Sequence, residues 1–176
     1  MSRGYRITWV TAAGQVSARD TLTVQLSLLG ILPAGDMVAL LREELARDGW
    51  TPDPEEPGSL TRVVAPGLVA RLAPDGGEVT VTAAQEKGVT ATGDTRDNAN
   101  RALSKVEAQA REALLAELGR RLTAVEPDLR ERVGAALQRV YLEALRRKAA
   151  SLGQVESVQE HTGPDGQLEV TIKVRT

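Results

Sequence analysis

The 176-residue chain has no cysteine, no phenylalanine and one histidine, and it has only two tryptophans and two tyrosines. Without cysteine it cannot form disulfides, thiolate metal sites or a cysteine nucleophile. The single histidine, His161, excludes a His–His metal pair, and its place before a predicted turn favours a solvated position at a hairpin end. The core must therefore consist of aliphatic side chains, and the scarcity of aromatic rings argues against base-stacking nucleic-acid platforms.

The charge and the hydrophobic pattern of the sequence indicate neither a membrane-spanning segment nor a surface that binds polyanions. The formal net charge is −2, so the whole chain exerts no attraction on phosphate backbones or anionic lipids. The most apolar stretch, residues 21–32, alternates with polar residues and is too short to span a bilayer. The opening residues lack the apolar core of a secretion signal. We therefore expect a cytoplasmic protein without membrane insertion.

The first half of the sequence predicts an opening hairpin followed by a short helix. Alternation in residues 5–10 and 21–29 is typical of strands, and Gly14-Gln15 is predicted to turn one into the other. Helical spacing then runs to Gly49, which we expect to end the helix in a left-handed conformation. Trp50 follows it and is interpreted as packing on the last helical turn rather than as a binding-site aromatic.

A meander of short antiparallel strands is predicted next, after a surface loop at residues 51–59. Pro66-Gly67 separates the first two strands, and a Pro-Asp-Gly turn with Asp75 and Gly76 at its corner leads into the third. A further turn is expected at residues 86–88.

The second half predicts a long antiparallel helical hairpin and a closing β-hairpin. Apolar residues at spacings of three and four indicate one helix over 97–122 and a second that begins near Pro127 and ends near Leu152. A Pro-Asp-Gly turn recurs in the final hairpin, with Asp165 and Gly166 at its corner. Because both turns lie between strands, we interpret the repeat as architecture rather than as chemistry used twice.

These elements predict an α+β fold in which antiparallel hairpins and a meander sheet pack against one short helix and the helical hairpin. Residues 1–93 would form an amino-terminal α+β lobe with the hairpin, the helix and the meander. Residues 94–176 would contribute the helical hairpin and the closing β-hairpin, and the two segments are expected to integrate into one domain.

No stretch of the sequence matches a catalytic motif in all of its required residues. Residues 88–95 have the glycine spacing of a phosphate-binding loop, but Asp94 stands where the motif requires lysine and would repel phosphate. Carboxylates are numerous but interspersed with arginine and lysine, as on solvated helices. The sequence therefore predicts no catalytic residue, no metal site and no cofactor.

An arginine stripe on the second long helix is the strongest candidate for binding. Arg132, Arg139 and Arg146 are seven residues apart and align on one helical face, and Arg147 follows near the negative end of the helix dipole. Three interpretations stay open: a solvated face, a contact for an acidic protein surface, or a contact for nucleic acid, which the composition disfavours. The four arginines are the hypothesised partner-binding residues.

The closing segment, VYLEALRRKAASLGQVESVQEHTGPDGQLEVTIKV, resembles the carboxy-terminal part of the hypothetical chloroplast reading-frame proteins of cyanobacteria and plastids. It is also similar to accessory subunits encoded beside FtsH-like AAA+ ATPases in bacterial ternary systems, with which YRITWV and ALLREELARDGW are compatible. This resemblance implies a non-enzymatic protein partner of a AAA+ machine and carries over no catalytic residues.

Two other classes of function stay open. The leucine- and alanine-rich helices could form the seam of a homo-oligomeric structural protein, which an exposed apolar patch would favour. A small-ligand-binding domain or an enzyme could assemble its site only in the folded chain, which a pocket with charged lining would favour.

Overall fold

The computed structural model describes residues 9–162 and 168–175. It has an α+β fold with a five-stranded antiparallel sheet, a separate two-stranded sheet, one short helix and one long helix. The elements follow in the order β1 (Val10–Gln25), α1 (Ala34–Arg47), β2 (Thr51–Pro52), β3 (Leu60–Ala65), β4 (Leu68–Leu72), β5 (Glu78–Gly93), α2 (Arg96–Leu152), β6 (Gln154–Thr162) and β7 (Leu168–Arg175). The strand orders are β1-β5-β4-β3-β2 and β6-β7.

Contacts divide the chain into two compact units. Among the described residues, the first comprises those up to Leu22, Val63–Val69 and Val81–Glu126, and the second comprises Thr23–Arg62, Ala70–Thr80 and those from Pro127 onward. Each has its own aliphatic core, which in the first unit includes Val16, Leu114 and Leu118, and in the second Leu41, Leu45, Leu72 and Val140. The division at residue 93 stays a prediction.

β1 is one continuous strand, so the predicted turn at Gly14-Gln15 and the opening hairpin are wrong. Most of the first predicted strand lies outside the described residues. Along β1 the buried side chains, Ala12 and Val16 among them, keep a period of two, which holds one face toward the core. A Cβ at Gly14 would overlap the carboxylate of Glu107 on α2. The glycine therefore marks close packing of a helix on the strand, not a turn.

β5 is also unbroken, so the turn predicted at residues 86–88 is wrong. The buried residues Val79 and Val81 before that stretch and Val89 and Ala91 after it are all odd-numbered. A strand that keeps this parity buries the same face throughout, whereas a reversal at Gly88 would have to re-establish the register. The predicted meander from β3 through β4 to the start of β5 is otherwise confirmed.

α1 buries the stripe that its spacing predicts, with Met37, Leu40, Leu41 and Leu45 all at most 1% exposed. At its end the amide of Trp50 donates to the carbonyl of Leu45, and the amide of Gly49 donates to that of Ala46, each at 3.0 Å. These two bonds form a Schellman motif. Trp50 is 5% exposed, which confirms the packing interpretation.

The loop predicted at residues 51–59 begins only after β2, because Thr51–Pro52 pairs with β3, and the rest of it is held by charged side chains. The Asp53 carboxylate, only 2% exposed, pairs with Arg71 Nε at 2.6 Å and accepts from the amide of Glu55 at 2.8 Å. Arg42 on α1 donates to the carbonyls of Gly58 and Pro74. The loop is thereby fixed between α1 and β4, beside the strand that carries Arg62.

α2 is a single helix from Arg96 to Leu152 with Pro127 inside it, so the predicted antiparallel helical hairpin is wrong. Buried leucines lie on both sides of the proline, at Leu118, Leu122 and Leu129, in a spacing that continues one helical stripe. A proline in a helix interior costs about 3 kcal/mol. Burying each large aliphatic side chain contributes about 1.5–3 kcal/mol, so several such residues outweigh the proline.

A substitution of Pro127 tests this continuity. Alanine at this position restores a backbone amide donor and removes the ring clash, and both changes stabilise the helix. It also restricts the unfolded chain less than proline does, which offsets part of the gain. Pro127→Ala should therefore stabilise the fold by about 1.5 kcal/mol. We expect thermal unfolding to show a rise in Tm of roughly 3–6 °C. Pro66→Ala is the control, since Pro66 precedes Gly67 (φ +72°) in a turn that favours proline, and it should not stabilise. A lower Tm for Pro127→Ala would instead indicate that Pro127 begins a separate helix.

β6 and β7 pair antiparallel, with His161 opposite Glu169 and a register shift between Val155 and Ser157. His161 is exposed, as its predicted place at a hairpin end implies. The turn predicted between these strands, with Asp165 and Gly166, lies outside the described residues.

Candidate functional site

Arg139, one of the four predicted partner-binding residues, binds two carboxylates within the second unit, that of Glu44 on α1 and that of Asp48 directly after it. Its Nε donates to Glu44 at 2.8 Å and its Nη2 donates to Asp48 at 2.6 Å. The side chain of Glu44 is only 6% exposed, whereas that of Arg139 is 42% exposed. The hydrogen bond that Arg139 donates to Glu44, followed by the one that it donates to Asp48, raises the pKa of Arg139. Arg139 therefore holds α2 against α1, and much of its binding capacity is already used.

The other three arginines of the stripe lie nearer to solvent. Arg132 Nε donates to Asp128 at 2.8 Å, one turn earlier on α2. Arg147 Nε donates to Glu143 at 2.9 Å, a bond that raises the pKa of Arg147. Arg146 is exposed and also interacts within the chain. Ion pairs this exposed contribute about 0–1 kcal/mol, so a partner's carboxylates can replace them at little cost.

The fold brings Arg132 and Arg139 together with two arginines that the sequence did not single out. Arg47 follows from the end of α1 and Arg62 from β3. They enclose a groove of about 530 Å³, here named the arginine groove and defined by Arg47, Asp48, Gly49, Arg62, Arg132 and Arg139. Arg146 and Arg147 do not line it. No spacing in the sequence connects Arg47 or Arg62 to the stripe, because three separate elements meet only in the folded unit.

The described turn residues have structural positions. Gly49 has φ +85° at the end of α1, where it places Arg47 and Asp48 beside the groove. Gly76 has φ +70° in the turn between β4 and β5, and the Asp75 carboxylate accepts from the amide of Gly77 at 2.9 Å.

The stretch that has phosphate-loop spacing is the end of β5 and the cap of α2. Thr95 Oγ1 accepts from the amide of Asn98 at 3.2 Å, a typical helix N-cap. Asp94 accepts from the side-chain amide of Asn98 at 2.7 Å, which lowers the pKa of Asp94. Within the described parts of the chain, no cluster of three or more acidic or histidine side chains is arranged to hold a metal ion. Neither described helix combines the length and apolarity needed to cross a membrane.

Comparison with protein families identifies a match over the whole chain. The family model for FtsH ternary system domain X5 matches residues 1–176, the whole chain. No curated protein and no solved structure matches significantly. The likeness of the closing segment to the hypothetical chloroplast reading-frame proteins stays a prediction. The similarity to FtsH ternary systems is confirmed, and the chain belongs to the family of FtsH ternary system domain X5.

Proposed function

We propose that this protein is a non-catalytic accessory or adaptor subunit that binds the AAA+ ATPase of an FtsH ternary system through protein–protein contacts. The observation that carries the proposal is the family match over the whole chain, since the family is defined as a domain of that system. A subunit of a multi-component system needs a surface for its partners.

The arginines of α2 support such a surface. Arg132 and Arg147 are 53% and 49% exposed, and each pairs with a carboxylate on its own helix. Guanidinium groups in exchangeable pairs can transfer to carboxylates of a partner, where planar two-point bonding adds geometric specificity. Arg139 is excluded from this surface because its change would break the contact between α1 and α2 in the second unit.

A pull-down from native lysate tests the proposed function. The tagged full chain is used with and without ATP, and recovered proteins are identified by mass spectrometry. We expect stoichiometric recovery of an FtsH-like AAA+ ATPase. Recovery of this chain alone would contradict the proposal and favour a homo-oligomeric protein.

The same assay tests the arginine surface separately. A variant with Arg132, Arg146 and Arg147 changed to glutamate should lose the ATPase while keeping its circular dichroism spectrum. The matched control changes the exposed Arg101, Arg111 and Arg120 of α2 to glutamate, which alters net charge equally and should keep the ATPase. Equal recovery with both variants would remove the surface from the proposal and leave the accessory role standing.

A further inference from the structure

We infer that the arginine groove binds an acidic segment of a protein partner, with glutamate or aspartate carboxylates of that segment paired to Arg62, Arg132 and Arg47. This inference rests on the proposed function and names the chemistry of the contact. The groove shares Arg132 with the arginine surface of α2 and adds Arg47 and Arg62, which the sequence hypothesis did not include.

The groove has more positive than negative groups. Its four guanidinium groups are matched by three carboxylates, those of Glu44, Asp48 and Asp128. Glu44 is buried and is shared by Arg47 and Arg139, so one negative charge serves two guanidinium groups. The groove surface therefore keeps a net positive charge.

Arg62 is the arginine of the groove that is most available to bind an added carboxylate. It lines the groove, its side chain is half-buried, and none of the described residues forms an ion pair with it. Partial burial of a cation without a counter-charge costs free energy, which an incoming carboxylate offsets. Arg47, at 70% exposed, and Arg132 flank the same space and present further N–H donors.

The lining of the groove and the net charge and composition of the chain favour carboxylates on a peptide over a nucleic acid. Gly49 and Ala135, which have no long side chains, also line the groove, and a volume of about 530 Å³ is large enough for several carboxylate side chains of a peptide. A net charge of −2 repels a long polyanion, whereas a local acidic segment meets only the groove. A chain with four aromatic residues also offers few rings for bases to stack on.

Fluorescence anisotropy with the full chain tests this inference. The probe is a fluorescein-labelled oligoglutamate peptide, compared with its glutamine analogue and with single-stranded DNA of equal charge. Arg62→Gln and Arg132→Gln should each weaken binding of the glutamate peptide about fivefold, the value of one exposed ion pair near 1 kcal/mol. The control is Arg120→Gln, on the same helix as Arg132 but outside the groove. It should bind the glutamate peptide as tightly as the unchanged chain does. High salt should weaken all binding because these charges are screened.

Three results would overturn the inference: unchanged affinity in both groove variants, equal binding of the glutamine peptide, or preferential binding of DNA. Failure here is distinguishable from failure of the proposed function. If the ATPase is recovered from lysate but the glutamate peptide does not bind, only the groove assignment fails. If the peptide binds through the groove but no ATPase is recovered, the AAA+ partner is wrong and the groove stands.

Discussion

Gly93→Ala is expected to destabilise the protein by about 3 kcal/mol, the upper part of the range for overpacking a tight site. Gly93 is buried at the end of β5, three residues before α2 begins. A Cβ there would overlap the amide nitrogen of Ala99 and lie 2.8 Å from the carbonyl carbon of Asn98. These are backbone atoms of the first helical turn, so no side chain can rotate away and the helix itself must move. Thermal unfolding should show a Tm lower by roughly 6–12 °C.

Gly88→Ala on the same strand is the matched control. A Cβ at Gly88 meets nothing within 4 Å, so this variant should change the free energy of unfolding by no more than about 0.5 kcal/mol, the usual effect of a surface substitution. Its Tm should therefore shift by no more than roughly 1–2 °C. Equal Tm values for the two variants would show that β5 and the start of α2 are not in close contact.

Arg139→Ala is expected to cost about 2 kcal/mol, because it leaves the buried Glu44 carboxylate with only one of its two arginine partners. Removing one member of a fully buried ion pair costs about 3–5 kcal/mol, and the partial exposure of Arg139 lowers this figure. Urea unfolding should show a lower midpoint with an unchanged m-value, since the folded surface stays nearly the same.

Arg132→Ala is the control for this prediction, since its pair with Asp128 is exposed on both sides and should contribute less than about 1 kcal/mol. A combined change of Glu44 and Arg139 to leucine should recover much of the loss, because no unpaired charge is left buried. If Arg139→Ala is as stable as Arg132→Ala, Arg139 is a surface residue and returns to the candidate partner surface.

Local patterns predicted most of the elements and misread three glycine or proline positions. Alternation of apolar and polar residues predicted the strands. The apolar stripe of α1 predicted that helix, and Gly49 and Trp50 predicted where it ends. The same glycine signal failed at Gly14, where it reports a neighbouring helix, because sequence cannot distinguish a turn from close packing. At Gly88 the buried residues on both sides of the glycine are all odd-numbered, so one face of β5 is buried throughout. This continuous burial outweighs a single weak turn signal.

Pro127 failed as a helix boundary for a related reason. Its intrinsic preference favours the first turn of a helix, but the buried leucines on each side already fix one continuous stripe. The free energy gained by burying these leucines outweighs the local preference of proline for a helix start, as tertiary context routinely overrides propensity.

The candidate site shows the clearest limit of the sequence. The spacing of seven correctly aligned Arg132 and Arg139 on one helix, but it gave no information about what lies opposite. Arg139 binds Glu44 on α1 and Asp48 directly after it. Arg47, at the end of α1, and Arg62, on a strand, are far from the second half of α2 in sequence and also line the groove. Such a groove is a property of the folded unit and is visible only there.

The most direct test of the account measures binding of the purified full chain to the purified FtsH-like ATPase of the same ternary system. Biolayer interferometry with ATP would compare the unchanged chain, the Arg62→Gln/Arg132→Gln double variant and Arg120→Gln. The account predicts saturable binding that the double variant weakens about 25-fold, the product of the two fivefold effects of single ion pairs, and that Arg120→Gln retains. Absence of binding by the unchanged chain would contradict the accessory role, and equal binding by all three would contradict the arginine groove as its contact.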